Sequence, residues 1–105
     1  MKVGEIWLAQ LDTTVGSETQ KTRPCVVISP DEMNAHLRTV IVAPMTTRSR
    51  PARFRIALSF EGKQGLILLD RIRTLDRTRL VKRLGALQPA TLTATLQTLQ
   101  ALFAP

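Results

Sequence analysis

Short apolar runs closed off by chain breakers constrain this sequence most. Cys25-Val26-Val27-Ile28-Ser29, Thr39-Val40-Ile41-Val42-Ala43 and Leu66-Ile67-Leu68-Leu69 are nearly all apolar, and Pro30, Pro44 and Asp70 follow them. Runs this short suit strands buried on both faces and are too short for helices. Glu5 to Leu11 alternates loosely and reads as a first strand. Arg53 to Leu58 alternates strictly, which predicts a strand whose wet face carries Arg53 and Arg55. Only the stretch after Pro89 has sustained helical spacing. Leu92, Leu96, Leu99 and Phe103 recur on one stripe, which Leu102 widens. Pro89 suits the first turn of a helix running to about Phe103. The stripe is expected to pack on the sheet, and a dimer face is a compatible use.

The connections follow from their residues. Asp12 to Thr22 reads as a long polar loop, and Pro30 to Asn34 as a turn or short helical segment. Pro44 is expected to end the third strand, with Met45-Thr46-Thr47 leading into a basic loop through Pro51. Glu61 to Gly65 reads as a tight turn. Asp76 is a plausible N-cap for a short helix through Arg83, before a last strand at Leu84 to Leu87. The result is a single domain, residues 1–105, of α+β and mostly β class. Five or six short strands are expected to form a small SH3-like antiparallel barrel, with the C-terminal helix laid against it.

Charge narrows the partners. Fifteen Lys and Arg against eight Asp and Glu leave a net charge of +7, which favours a polyanion. The cations fall in two groups: Arg48, Arg50, Arg53 and Arg55, then Arg71, Arg73, Arg77, Arg79, Lys82 and Arg83. General solubility and an acidic protein partner also fit this charge. There is no Tyr, one Trp and three Phe, too few for a base-stacking platform, so a nucleic-acid role would rest on phosphate contacts. No apolar run approaches the ~18 residues of a membrane span. The chain enters patterned sequence at its first residues, so no leader or membrane partner is expected and the expected location is cytoplasmic. Cys25 lies inside an apolar run and reads as a core thiol.

Much chemistry is poorly supplied. One His and one Cys far apart do not make a zinc site, so no metal and no cofactor are expected. His36 sits in a polar turn without a nucleophile-elbow sequence. No Gly-rich phosphate loop precedes a helix. What remains is an acid, an arginine and hydroxyls near strand ends. These can cleave RNA, because the substrate's own 2′-hydroxyl is the nucleophile. Arg23 can stabilise the charge on the phosphorane, Glu18 can take the proton, and Thr46 can hydrogen-bond a phosphate oxygen. Plainer roles stay open: Arg23 as a solvated charge at a strand end, and Thr46 as a turn residue satisfying backbone groups.

An ordered set of motifs goes further. Gly4-Glu5-Ile6-Trp7 is followed by Gly16-Ser17-Glu18, Arg23-Pro24-x-Val26-Val27-Ile28 and Asn34. Val42-Ala43-Pro44-Met45-Thr46-Thr47 comes next, then Leu69-Asp70-x-Ile72-Arg73-Thr74-x-Asp76, Arg79-Leu80 and Leu84-Gly85. In these residues the chain resembles the MazF/PemK toxins of bacterial toxin–antitoxin systems, from Gly4 to about Phe103. The resemblance implies a compact homodimeric barrel and a metal-independent endoribonuclease. Such an enzyme cuts single-stranded RNA at short sequences, leaving a 2′,3′-cyclic phosphate and a 5′-hydroxyl. It implies catalytic roles for Arg23 and Thr46, and for Glu18 as the loop acid. Lys21, Thr47, Arg48, Arg50, Asp70 and Arg73 would bind RNA. An acidic antitoxin tail would lie along the basic groove. In the PemK branch an arginine stands two residues before the aspartate matched by Asp70. Here Leu68 takes that place, so Arg23 and Thr46 carry the expected chemistry.

Two rivals differ in class. The CcdB branch shares the architecture but poisons gyrase through its last helix, and the Phe103-Ala104-Pro105 end lacks the matching polar and Trp tail. A non-catalytic basic barrel would bind nucleic acid without cutting it, with strong salt dependence.

Overall fold

A computed structural model describes residues 1–11 and 21–105. Its elements run β1 (Glu5–Gln10), β2 (Thr22–Val27), α1 (Asp31–His36), β3 (Thr39–Thr46), β4 (Arg55–Phe60) and β5 (Lys63–Leu68), then β6 (Arg73–Asp76), β7 (Leu80–Ala86) and α2 (Pro89–Phe103). Short 3-10 turns at Leu69–Arg71 and Arg77–Arg79 flank β6. The sheet order is β4-β5-β3-β2-β1-β7, with β6 also on β3, and every pairing is antiparallel. The end strands β4 and β7 are not joined, so the sheet is a curled half-barrel rather than a closed one. It has seven strands where the sequence suggested five or six.

The apolar runs do what their patterning requires. In β2, Cys25 and Val27 join one cluster with Ala9, Val40, Val42, Leu75 and Leu80, while Val26 points the other way. Val26 joins Ile6, Ala43, Met45, Ile67 and Leu69, and Leu99 of α2 packs against that second cluster. Each fully buried Val, Ile or Leu contributes about 1.5–3 kcal/mol of transfer free energy. The first strand is tied at its start. Glu5 accepts a hydrogen bond from the Trp7 indole at 3.0 Å and pairs with Arg83 at 3.2 Å.

Several expectations are corrected. Pro44 does not end the third strand, because it falls where β3 changes partners. Pairing with β6 stops at Val42↔Arg73 and pairing with β5 starts at Met45↔Ile67. A missing N–H costs no rung in that gap. Asp76 does cap, accepting from Thr78 N–H at 2.9 Å, but only one 3-10 turn follows before Leu80 enters β7. Strand β7 pairs with β1, a contact across the whole sequence that takes these residues out of the helix expected through Arg83. The tight turn is only Glu61-Gly62, with β5 starting already at Lys63. The fourth strand starts at Arg55 rather than Arg53, and Arg55, on the same face as the exposed Ala57 and Ser59, is paired there with Asp70. The end of the helical stripe leaves the sheet: Leu102 is 40% and Phe103 72% exposed, whereas Thr95 is fully buried.

Asn34 is a structural residue. It is buried, donates to the Ser29 carbonyl at 2.9 Å and accepts from the Ser29 hydroxyl. The Arg77 guanidinium donates to the Asn34 carbonyl at 2.8 Å. This network fixes α1 between β2 and the turn after β6.

Candidate active site

The β2–β3 ladder stops at Cys25↔Pro44. Both strands continue beyond it, β2 outward through Pro24 and Arg23, β3 through Met45 and Thr46. That register, carried two residues on, sets Arg23 opposite Thr46. The space at their ends is a cleft of about 430 Å³ lined by Thr22, Arg23, Pro24, Met45, Thr46, Thr47 and Arg48, and by Phe60, Glu61, Lys63 and Gly65 from the β4–β5 hairpin. Thus Arg23, Thr46, Thr47 and Arg48 come together as the sequence led one to expect.

Thr46 closes β3 and is half-buried. Its hydroxyl oxygen accepts the Arg48 N–H at 3.2 Å, which leaves the hydroxyl proton to be donated. Gly65 lets the next strand come this close, because a Cβ there would stand 3.1 Å from the Thr46 carbonyl oxygen. Arg23 is exposed and on regular strand, paired with Ala9 of β1. Its carbonyl accepts the Cys25 S–H. Burial pushes that thiol up to about 12, against the partial pull of Arg23 and Arg73. Cys25 is therefore a core group and not a nucleophile.

Arg23 and Thr22 also border a second cleft of about 380 Å³, with Leu11, Lys21, Pro44, Arg71 and Arg73. Lys21 and Arg73 are thus in this second cleft and not beside Thr46. Arg50 and Asp70 line neither cleft. Asp70 instead takes the Arg55 guanidinium at 3.3 Å and 3.1 Å, and Arg55 donates a further bond to the Arg50 carbonyl at 2.9 Å. The hydrogen bond from Arg55 holds the Asp70 carboxyl below its ordinary value of 3.8, against a smaller desolvation effect. Arg55 stands opposite Leu68 in the β4–β5 register. The guanidinium facing Asp70 therefore comes from the neighbouring strand, not from position 68. Glu18 lies outside the described residues. His36 is exposed on α1 with Nδ1 2.8 Å from the Glu32 carbonyl oxygen, and it lines neither cleft.

Sequence reasoning missed Glu61, Lys63 and Arg71. The first two reach the cleft because the β4–β5 hairpin folds over β3, a tertiary fact with no local signal. Arg71 was visible only as one member of a basic group. Chemically the first cleft offers a fixed cation, a hydroxyl donor and two further cations to a phosphodiester.

The family described as PemK-like, MazF-like toxin of type II toxin–antitoxin system matches residues 2–103. The Endoribonuclease MazF of Staphylococcus saprophyticus subsp. saprophyticus is 39% identical over 90 residues, 80% of this chain and 75% of that one. A mycobacterial endoribonuclease solved with its cognate antitoxin matches the fold with a TM-score of 0.84 at 24% identity, over 100% of this chain and 97% of that one. A MazE–MazF complex of Deinococcus radiodurans gives a TM-score of 0.82 at 26% identity, over 97% and 94% of the two chains. A family match over nearly the whole length and a relative at 39% identity place the chain in the PemK-like, MazF-like toxin family of type II toxin–antitoxin systems.

Proposed function

We propose that this toxin is an endoribonuclease that cuts single-stranded RNA without a metal ion. The observation that carries the reading is Arg23 and Thr46 facing one cleft from two adjacent strand ends. The substrate's 2′-oxygen attacks its own phosphorus and the bond to the 5′-oxygen breaks. The products are a 2′,3′-cyclic phosphate and a 5′-hydroxyl. The 2′-hydroxyl proton goes to a base, for which Glu18 is the candidate, and a proton reaches the departing 5′-oxygen. Arg23 stabilises the charge that builds on the phosphorane, and the Thr46 hydroxyl donates to a non-bridging oxygen. Thr47, Arg48 and Lys63 hold flanking RNA.

The whole chain acts in the cytoplasm as a homodimer with an acidic antitoxin as its partner. The basic clefts suit an acidic peptide, and the exposed Leu102 and Phe103 at the end of α2 suit a contact between copies. The mycobacterial relative was solved with its cognate antitoxin, and the Deinococcus radiodurans relative as a MazE–MazF complex.

The test incubates purified protein with long single-stranded RNA in EDTA, beside Arg23→Ala, and maps 5′-hydroxyl ends. Discrete cuts are expected from wild type. Arg23→Ala should keep its melting temperature and lose roughly 100-fold or more in rate, the usual effect of removing one donor aimed at a developing oxyanion. A normal rate in the folded variant would remove Arg23 from the chemistry.

A further inference from the structure

Arg23 stands on a wall between two clefts, and only one of them contains Thr46. The other is floored by the apolar Pro44 and rimmed by Lys21, Arg71 and Arg73. Among the described residues no carboxylate lines it. Its two further arginines are on fixed backbone. Arg71 ends the 3-10 turn whose first residue, Leu69, is buried and donates its N–H to the Phe54 carbonyl at 3.1 Å. Arg73 opens β6 in register with Val42 of β3. Neither is in an ion pair among the described residues. Arg23 and Arg73 line this cleft together.

We propose that this second cleft is a phosphate subsite, which binds one RNA phosphate adjacent to the scissile one through Arg71 and Arg73. It rests on the RNA-cleaving reading above. RNA then crosses β2 at Arg23, with its reacting phosphate on the Thr46 side and a neighbouring phosphate on the Arg71 side. The planar guanidinium fork is pre-organised for phosphate, so less freedom is lost per hydrogen bond formed, and the subsite adds affinity and sets the register of the strand. Two of the other arginines in the same sequence group cannot do this. Arg77 and Arg79 donate to the backbone carbonyls of Asn34 and Gln10.

The experiment is a cycle between protein and substrate. Short RNAs carrying the cut sequence are made with one phosphate at a time replaced by a neutral methylphosphonate. Each is assayed with wild type and Arg71→Ala. Binding of oligouridylate is followed in parallel by fluorescence anisotropy. At one position next to the scissile phosphate, wild type should lose about tenfold, the usual scale of a hydrogen bond to a charged group. Arg71→Ala should lose nothing further there. On all-phosphate RNA the variant should lose the same factor, mainly in KM, and should bind oligouridylate more weakly. Independent losses at every position would overturn the subsite. So would unchanged RNA binding with weakened binding of an acidic peptide, which would give the cleft to the antitoxin. Absence of cleavage by wild type would sink the nuclease reading alone, and the anisotropy arm would still decide whether Arg71 holds phosphate.

Discussion

Arg55 shows how one residue can settle a neighbour's role. Its guanidinium holds Asp70, the Arg50 carbonyl and, over the Phe54 ring at 5.6 Å, an aromatic face. These contacts anchor the segment that carries Arg48, Arg50 and Arg53. The Asp70 carboxyl is lowered by its Arg55 hydrogen bond. A carboxyl lowered in the folded state contributes stability above the unfolded value, and loses it as pH falls through the folded value. The anchor is therefore whole at neutral pH and fails only in acid, below the ordinary 3.8. In Arg55→Gln the Asp70 midpoint, followed by carboxyl-carbon NMR, should rise back toward 3.8. Trypsin should also cut faster after Arg48 and Arg53. Unchanged titration and unchanged cutting would mean the pair holds nothing. Gly65 makes a second residue-scale case. Ala at this position gains about 0.4–1 kcal/mol by restricting the unfolded chain. Overpacking against the Thr46 carbonyl costs about 1–3 kcal/mol, since backbone rather than a flexible side-chain tip must shift. The cost wins. Gly65→Ala should lose about 1 kcal/mol in urea unfolding and should slow cleavage by displacing Thr46.

At the scale of elements, the β4–β5 hairpin carries a conflict between turn chemistry and function. Glu61 and Gly62 both have positive φ, 51° and 76°, as a two-residue turn of the hairpin-favoured mirror type requires. Asn suits the first of these positions better than Glu. Glu61→Asn should therefore stabilise the protein by about 0.5–1 kcal/mol in thermal or urea unfolding. It should also tighten RNA binding, because it removes the one carboxylate among the described residues of the first cleft. A loss of activity with a gain of stability would instead give Glu61 a part in the chemistry. Strands β2 and β3 and helix α2 were legible from sequence because their apolar runs and stripe are local patterns. The reach of β3 past Pro44 was not, since it depends on which strands flank that residue. Strand β7 was hidden for a related reason: its exposed Val81, Lys82 and Arg83 make sense only beside β1. The site divides in the same way. Arg23 and Thr46 follow from two strand ends in register, whereas Lys63 and Arg71 arrive through folding of other elements.

For the whole molecule, the net charge of +7 says less than where the cations sit. Arg55, Arg77, Arg79 and Arg83 are engaged within the fold by carboxylates or carbonyls. The two clefts gather Arg23, Arg48, Lys63, Lys21, Arg71 and Arg73 on the flanks of β2 and β3. A single strand that neutralises Z phosphates loses affinity with salt at a log–log slope of about −0.7Z. If these six residues each meet a phosphate, the slope for a long single-stranded RNA is about −4, and far steeper slopes would follow if all the basic residues took part. Removing one contacting cation should make the slope shallower by about 0.7. Arg71→Ala should show that change, and Arg77→Ala should leave the slope unaltered while lowering thermal stability. Titrations in potassium chloride with a 2′-deoxy substitution at the cut site separate this from turnover. Equal changes for Arg71→Ala and Arg77→Ala would mean that RNA responds to the net charge of the domain. A change confined to Arg71→Ala would mean that the fold has sorted its arginines into those that hold the barrel and those that hold the strand.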